Sequence, residues 1–309
     1  MTIQNVKRLA VIDGETLMDA RLPKRNFCVE TLLPEGISML GGAPKVGKSW
    51  MVLLLALQVA KGEPLWNLPT KQGTVLYLAL EDSLSRLQDR VNRLTDEAPA
   101  SLYFATTAGT IGDELCMQIS KFILEHPDTV LVIIDTFQIV RNNGIETSYA
   151  NDYEEVRALK LLADEKKISL LLVHHLRKQG DSYALNKLSG TTGISGAMDA
   201  VFILDRSKRN ANCATLFCTG RDIESREIEI QLKKENCEWE LKGDSLEEPT
   251  LSQPEEITLL IEMMTQLQSV DGGNTELTEK FNSFSGKNIS ANPIDTNGNN
   301  CSCYRQPLQ

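Results

Sequence analysis

Residues 42–49 read G-A-P-K-V-G-K-S, between a short apolar run and a stretch with helical spacing. In a loop of this pattern, called a P-loop, the glycines let backbone N–H groups curl around phosphates. The lysine reaches the β- and γ-phosphates, and the following hydroxyl ligates magnesium. Lys48 and Ser49 take those two roles. The loop therefore predicts binding of ATP with Mg²⁺, and the expected phosphate contacts are Gly42, Ala43, Pro44, Lys45, Val46, Gly47, Lys48, Ser49 and Trp50.

The sequence around this loop alternates short apolar runs with helical patterns. The apolar runs are nearly continuous and rich in Val, Ile and Leu, as expected of strands buried on both faces, and they occupy 37–40, 74–80, 129–134, 169–173 and 200–204. Helical spacing follows at 49–60 and 83–94. Strand and helix in alternation predict an α/β fold with a mostly parallel sheet. Closely spaced strand candidates at 214–218, 227–231 and 238–241 predict an antiparallel extension of that sheet.

Composition narrows the class of protein. The 309 residues are 41% hydrophobic, which excludes a disordered or collagenous chain. A net charge of −10 argues against a broad, nonspecific nucleic-acid coat, so any DNA contact must be local. The seven cysteines are scattered without zinc-site spacing. We find no basic stretch followed by an apolar run at the N-terminus and no membrane-length apolar segment, which predicts a cytoplasmic protein without membrane contact.

Carboxylates follow two of the predicted strands. Asp135 ends the run 130–134, where a P-loop protein places the carboxylate that holds the magnesium shell. Glu81 and Asp82 follow the run 74–80, at the edge of the sheet where ligands bind. We expect Glu81 to polarise the attacking water. The alternative is a structural one, in which Asp82 or Ser83 caps the next helix and Glu81 favours its positive N-terminus.

Two histidines follow a third strand. His174 and His175 come directly after the run 169–173, so they too should lie at the ligand-binding edge, where a side chain can sense the γ-phosphate. Most lone histidines are structural, and we give His126 that interpretation. A metal-binding pair is not expected, because adjacent side chains on an extended chain diverge.

Together these motifs identify a resemblance to the RecA-like P-loop ATPases, specifically to the RepA-type and DnaB-type hexameric replicative helicases of phages, plasmids and mobile elements. The resemblance runs from about 22 to 241. Its most specific parts are the phrase L-L-P-E-G-I-S-M-L-G-G-A-P-K-V-G-K-S-W at 32–50, L-Y-L-A-L-E-D at 76–82, V-I-I-D-T at 132–136, V-H-H-L-R-K at 173–178 and T-G-R-D at 219–222.

The resemblance implies a role for each matching residue. Glu81 corresponds to the hydrolytic glutamate, Asp135 to the aspartate on the magnesium side, and His175 to the γ-phosphate sensor, with His174 as the alternative. Arg221 corresponds to an arginine finger that enters the ATP site of the next subunit, which makes hydrolysis depend on assembly. DnaB-type helicases place a lysine two residues before this arginine.

This chain departs from the family at that second cation. Thr219 stands where the lysine is expected, and Arg206 is a possible substitute. The RepA-type finger position, near 200–202, carries no arginine, which again favours Arg221.

The resemblance also implies single-stranded DNA in a central channel, held by two loops that correspond to 140–152 and 177–196. Arg141 in the first loop, and Arg177, Lys178 and Lys187 in the second, are candidates for phosphate contacts. The alternative is that these are ordinary solvated loops.

The expected organisation has five parts. Residues 1–25 form an N-terminal arm, 26–242 a RecA-like three-layer ATPase domain, and 243–254 a polar linker. A small helical segment at 255–285 resembles a partial helix-turn-helix, since 275–284 matches its first helix and Pro293 falls where a second should begin. The Asn-, Ser- and Gly-rich stretch 286–309 is expected to be a disordered tail.

The leading prediction for function is an ATP-hydrolysing motor that acts on single-stranded DNA as a hexameric ring, a replicative DNA helicase. One alternative is a RecA-like recombinase or recombination mediator that assembles an open filament around the same site. Another is a nucleotide-dependent scaffold or regulator that performs no mechanical work.

Overall fold

The structure is a computed structural model that describes residues 9–22, 25–141, 149–176, 196–206, 212–246, 255–267 and 274–287. The described residues form eleven strands and eight helices. The strands are β1 Phe27–Val29, β2 Leu33–Pro34, β3 Gly36–Gly42, β4 Thr74–Ala79, β5 Leu102–Ala105, β6 Thr129–Asp135, β7 Ser169–His175, β8 Ala200–Asp205, β9 Cys213–Gly220, β10 Arg226–Leu232 and β11 Trp239–Asp244. The helices are α1 Gly14–Asp19, α2 Lys48–Lys61, α3 Leu84–Leu94, α4 Leu115–Glu125, α5 Phe137–Val140, α6 Tyr149–Lys166, α7 Glu255–Leu267 and α8 Asn274–Ser285.

Nine strands form one sheet in the order β11-β10-β9-β8-β3-β7-β6-β4-β5. The strands from β8 to β5 run parallel to their neighbours, and β9 runs antiparallel to β8. This architecture confirms the predicted α/β class with its antiparallel extension. Because β3 lies between β7 and β8, the P-loop leaves the middle of the sheet, with strand ends on either side of it.

Burial explains why the two halves of the sheet have different sequence patterns. Every residue of β3, β4 and β6 is buried, which matches their continuous apolar runs. In β9, buried positions alternate with more exposed ones, so this strand has the period of two typical of a half-exposed sheet.

Helices cover both faces of the parallel part of the sheet. On one face, Ile119 of α4 and Leu159 of α6 belong to a continuous core with Met39 of β3 and Ile134 of β6. On the other face α2 packs against β4 and β6. The sheet therefore forms the middle of the three layers expected from the sequence.

The strand β5 was not predicted. It has only four residues and lies at the edge of the sheet, where Leu102 alone is buried. A short edge strand needs little apolar sequence, and for that reason the strand carries no distinctive pattern.

The chain divides into two compact units, Met1–Ser225 with Ile230–Leu241, and Arg226–Glu229 with Lys242–Gln309. In the second unit Arg226 Nη1 donates to Asp244 Oδ2 at 2.9 Å, and both side chains are buried. Helices α7 and α8 contact each other, and both lie within the segment 255–285 that was expected to be helical. Pro293 and nearly all of the expected tail lie outside the described residues. Within the described residues, no helix is both long and apolar enough to cross a bilayer.

Candidate nucleotide site

The P-loop joins the end of β3 to the start of α2. Helix α2 begins at Lys48, directly after Gly47, whose φ of 105° is a conformation that side chains rarely allow. The first backbone N–H groups of a helix have no partner inside the helix and carry its positive dipole end. The loop therefore presents the kind of anion site that a triphosphate requires.

The indole of Trp239, from β11, packs on this loop. The indole Nε1 donates to the Gly47 carbonyl at 3.2 Å. The backbone carbonyl of Trp239 accepts a bond from Trp66 Nε1 at 2.8 Å. The Arg206 guanidinium lies 5.5 Å from the centre of the Trp239 ring, and its Nη1 donates to the Val46 carbonyl at 3.5 Å. The side chains of Trp239 and Arg206 thus hold the backbone of the P-loop in place through contacts with Gly47 and Val46.

We expect Gly47→Ala to weaken ATP binding by about tenfold or more and to destabilise the protein. A Cβ at this position would lie 2.7 Å from Trp239 Cζ2, and the backbone has positive φ. The methyl group must therefore displace the indole or the loop itself. Calorimetric titration with ATP and thermal unfolding would measure the two effects.

The matched control is Gly112→Ala. Gly112 also has positive φ, at +84°, but a Cβ there meets nothing within 4 Å. It should cost about 1 kcal/mol of stability and leave ATP affinity unchanged. Equal ATP affinity in both variants would show that Trp239 does not constrain the loop.

Lys48 is buried against the backbone of the P-loop. Its Nζ donates to the carbonyls of Gly42 at 2.9 Å and Ala43 at 3.0 Å, and lies 3.1 Å from His175 Nδ1. Burial lowers the pKa of Lys48 from 10.5 to about 8, against the opposing effect of Asp135 and Glu81, whose charges raise it. The ammonium group is thus less fully charged near neutral pH than an exposed lysine would be.

This pKa predicts that ATP affinity falls at alkaline pH. ATP binding requires the protonated lysine, and the phosphates hold the proton on it. Below pH 8 the free protein already carries that proton, so affinity is flat; above pH 8 a proton must be taken up. We expect affinity to fall about tenfold between pH 7 and pH 9. Titrations with ATP across this range test it. Lys48→Arg keeps its charge and should show little change, and the same decline in that variant would contradict the assignment.

Asp135 and Ser49 form the oxygen-bearing part of the site. The Ser49 hydroxyl hydrogen-bonds to the Asp135 carboxylate, whose Oδ2 also accepts a bond from the buried Tyr77 hydroxyl at 2.8 Å. Burial raises the pKa of Asp135, while the hydrogen bonds from Tyr77 and Ser49 lower it. A hydroxyl and a carboxylate oxygen that face each other beside phosphate-binding N–H groups fit the hard oxygen ligands of Mg²⁺. Among the described residues, no three His, Cys, Asp or Glu side chains are grouped to hold a metal by themselves.

His175 connects Lys48 to Glu81. Its Nδ1 lies 3.1 Å from Lys48 Nζ, and its Nε2 lies 3.7 Å from Glu81 Oε1. Because an ammonium can only donate, Nδ1 accepts, and the ring proton of a neutral imidazole is on Nε2, facing the carboxylate. The register explains the contact, since His175 pairs with Gly42 and Asp135 pairs with Ala79, two residues before Glu81. The four expected residues Lys48, Glu81, Asp135 and His175 thus meet at one edge of the sheet.

Their neighbours have other roles. His174 is buried, and its ring centre lies 6.2 Å from that of Phe137, so the two histidines diverge as expected. Ser83 caps α3 by accepting a bond from the Arg86 backbone, which confirms the capping alternative for this residue. Asp82 forms ion pairs with Arg86 and Arg90. The Arg90 guanidinium also lies 5.5 Å from the centre of the Trp50 ring.

Arg221 lies where the parallel strands begin, whereas the P-loop lies where they end. Its backbone N–H donates to the carbonyl of Asp199, whose own N–H donates to the carbonyl of Ile37, at the start of β3. Ile37 and Gly42 are five residues apart, which is roughly 17 Å along a strand. The Arg221 side chain, 56% exposed, contacts Asp199 Oδ1 at 3.4 Å and the Gly196 carbonyl at 3.0 Å. It therefore lies beyond reach of the P-loop of its own chain.

The structure places two other basic residues differently from the sequence-based expectations. Arg206 lies behind its own P-loop, and this position makes it a poor substitute for the missing cation at Thr219 in a neighbouring site. Arg141 is 12% exposed, and its Nε donates to Glu155 Oε2 at 2.8 Å. A DNA phosphate can reach it only if this ion pair opens. The remaining DNA candidates Arg177, Lys178 and Lys187 lie outside the described residues.

Sequence reasoning missed three residues that shape the site. Tyr77 carries a weak signal, as the one aromatic side chain in the apolar strand β4. Trp239 and Asp199 carry none, because each acts on a segment more than 150 residues away in sequence.

Several known proteins are similar to this chain in sequence or in fold. A family profile described as "AAA domain" matches residues 4–181. The DNA repair protein RadA of Campylobacter jejuni is 30% identical over 154 residues, which cover 48% of this chain and 30% of that protein. RadA of Streptococcus pneumoniae is 26% identical over 182 residues, 58% of this chain and 38% of that protein. The chain therefore spans about a third of the length of these relatives.

A solved structure of a DnaB-like replicative helicase, described together with its interactions with primase, has the same fold. Its TM-score is 0.55 at 14% sequence identity, and the match covers 67% of this chain and 58% of that one. This likeness, with the family match, confirms the RecA-like fold and the resemblance to RecA-like P-loop ATPases.

Proposed function

Since the chain belongs to the AAA-domain family, we propose that it is an ATP-hydrolysing motor that acts on single-stranded DNA as a hexameric ring, in the manner of a replicative DNA helicase. One observation carries the proposal. Lys48, Glu81, Asp135 and His175 meet at the edge where the parallel strands end, whereas Arg221 lies at the other edge, roughly five strand residues away. The ATP site is complete only when a second copy docks.

Each residue then has a defined task. Lys48 exchanges its carbonyl partners for the β- and γ-phosphates, while Ser49 and Asp135 would hold Mg²⁺, which neutralises phosphate charge when bound. Glu81 accepts a proton from the water whose oxygen attacks the γ-phosphorus. The bond from that phosphorus to the β–γ bridging oxygen breaks, and ADP and phosphate are formed. His175 contacts both Lys48 and Glu81, so it can report on the γ-phosphate.

Arg221 of one copy stabilises the negative charge that develops in the site of the next copy. The surface of one copy that carries the P-loop would contact the surface of the next copy that carries Arg221. Because these are two different surfaces, the interface is heterologous. Such an interface generates a closed ring when the rotation between copies closes. Single-stranded DNA would then lie in the channel of the ring, as the resemblance to DnaB-type helicases implies.

The test is the ATPase rate with and without single-stranded DNA, together with the native mass in ATP. We expect DNA to raise the rate and the mass to correspond to six copies. A strand-displacement assay then tests helicase activity itself. Equal rates with and without DNA, and no salt-dependent DNA affinity, would overturn the motor and favour a nucleotide-dependent regulator.

The RadA relatives support a second candidate, a RecA-like recombinase or recombination mediator. It uses the same composite ATP site but an interface that does not close. Electron microscopy with ATP and single-stranded DNA separates the two, because a ring indicates the first function and an open filament indicates the second.

A further inference from the structure

A cluster of charged side chains surrounds the arginine finger at the start of the parallel strands. We call it the amino-edge cluster, and it consists of Arg25, Lys160, Asp199, Arg221 and Asp222. Asp199 is its centre, with a side chain only 2% exposed. Lys160 Nζ lies 2.6 Å from each Asp199 oxygen, and Oδ2 also accepts a bond from the Ile37 backbone at 3.0 Å.

Arg25 reaches this cluster from the N-terminal segment. Its Nη2 lies 3.8 Å from Asp199 Oδ1, the same oxygen that Arg221 Nη1 contacts at 3.4 Å, and its Nη1 pairs with Asp222. One buried carboxylate oxygen therefore holds two guanidinium groups side by side. These contacts fix the two arginines although nearly 200 residues separate them in sequence.

The two arginines are the more accessible cations of the amino-edge cluster. Lys160 has a side chain that is 25% exposed, whereas Arg25 is 38% and Arg221 56% exposed. The two guanidinium groups are therefore the cations that a docking copy can contact most easily.

We propose that Arg25 acts with Arg221 as a second cation for the ATP bound to the neighbouring copy, an inference that rests on the proposed function. Guanidinium groups bind phosphate oxygens through pairs of N–H donors and keep their charge at all relevant pH values. Two of them held on one buried carboxylate are pre-positioned for a triphosphate, which offers more negative charge than one arginine neutralises.

Arg25→Ala should lower the DNA-stimulated ATPase rate about tenfold or more and leave ATP affinity within about twofold, because the P-loop is untouched. Arg21→Ala is the matched control, since Arg21 is an exposed arginine of the same segment, and it should keep the normal rate. Arg25→Lys retains a positive charge but loses the paired N–H donors, so its rate should fall between those of Arg25→Ala and the unaltered protein. A normal rate in Arg25→Ala would overturn the proposal.

A second variant separates charge from structure. Thr219 lies two residues before Arg221, near the end of β9. In the Arg25→Ala background, Thr219→Lys should restore a large part of the lost rate, since it returns a cation to the neighbourhood of Arg221. If Arg25→Ala prevents assembly and neither Thr219→Lys nor Arg25→Lys corrects it, Arg25 is a structural residue and the proposal fails.

Mixed assemblies show whether Arg25 acts on a neighbouring site. Glu81→Gln removes the catalytic carboxylate but keeps the amino-edge cluster. When it is mixed with Arg25→Ala, some sites combine the intact Glu81 of an Arg25→Ala copy with the intact Arg25 of a Glu81→Gln copy. Activity should therefore rise above that of either variant alone. Recovery with Arg221→Ala but not with Arg25→Ala would overturn this inference and leave the proposed function standing. Recovery with neither would overturn the shared site and this inference together.

Discussion

Arg221→Ala should hydrolyse ATP about a thousandfold more slowly than the unaltered protein in its DNA-bound assembly, with ATP affinity within about twofold. The loss is large because this guanidinium is expected to meet charge that develops only in the transition state. Binding is spared because Arg221 lies roughly 17 Å along the sheet from the P-loop of its own chain. Steady-state hydrolysis and equilibrium binding of a fluorescent ATP analogue would measure the two quantities separately.

The matched control for this variant is Arg93→Ala, which removes an exposed arginine from the last turn of α3. It should behave like the unaltered protein. Thermal unfolding of Arg221→Ala is also needed, because the variant removes one of the cations paired with the buried Asp199. Full hydrolysis by Arg221→Ala under assembled conditions would exclude it as the arginine finger.

Glu81→Gln should lower hydrolysis by about two to four orders of magnitude while ATP stays bound. The amide is nearly the same size as the carboxylate but cannot accept a proton from the attacking water. Binding should be as tight as before or tighter, because one negative charge near the phosphates is removed. Single-turnover hydrolysis and retention of ATP after gel filtration would show the slow chemistry and the trapped nucleotide.

The matched control is Glu63→Gln, which changes an exposed carboxylate that follows α2. It should leave the rate of ATP hydrolysis unchanged. If Glu81→Gln hydrolysed ATP at the normal rate, Glu81 would only stabilise the start of α3. The water would then be activated by a different group.

The nucleotide site was largely predictable because its residues follow buried strands. Parallel strands end at one edge of a sheet, so Glu81, Asp135 and His175 could be placed together before any distance was known. The choice between His174 and His175 needed the register, which pairs His175 with Gly42 of the P-loop.

The rest depends on contacts between distant segments that leave no local pattern. Arg25 and Asp199 meet across most of the ATPase domain, and Trp239 packs on Gly47 across 192 residues. Arg141 is a basic residue in a segment expected to bind DNA, yet its guanidinium forms an ion pair with Glu155 of α6. Side-chain direction at such a position is decided by the packed structure, which a single sequence does not reveal.

The indole that packs on Gly47 gives the protein an optical signal of its own. The chain contains three tryptophans, and all of them lie around the P-loop: Trp50 follows it in α2, Trp239 bonds to it, and Trp66 bonds to Trp239. Indole emission responds to the polarity and motion of its surroundings. The intrinsic fluorescence of the unlabelled protein should therefore follow nucleotide entry and product release in real time, and no dye needs to be attached.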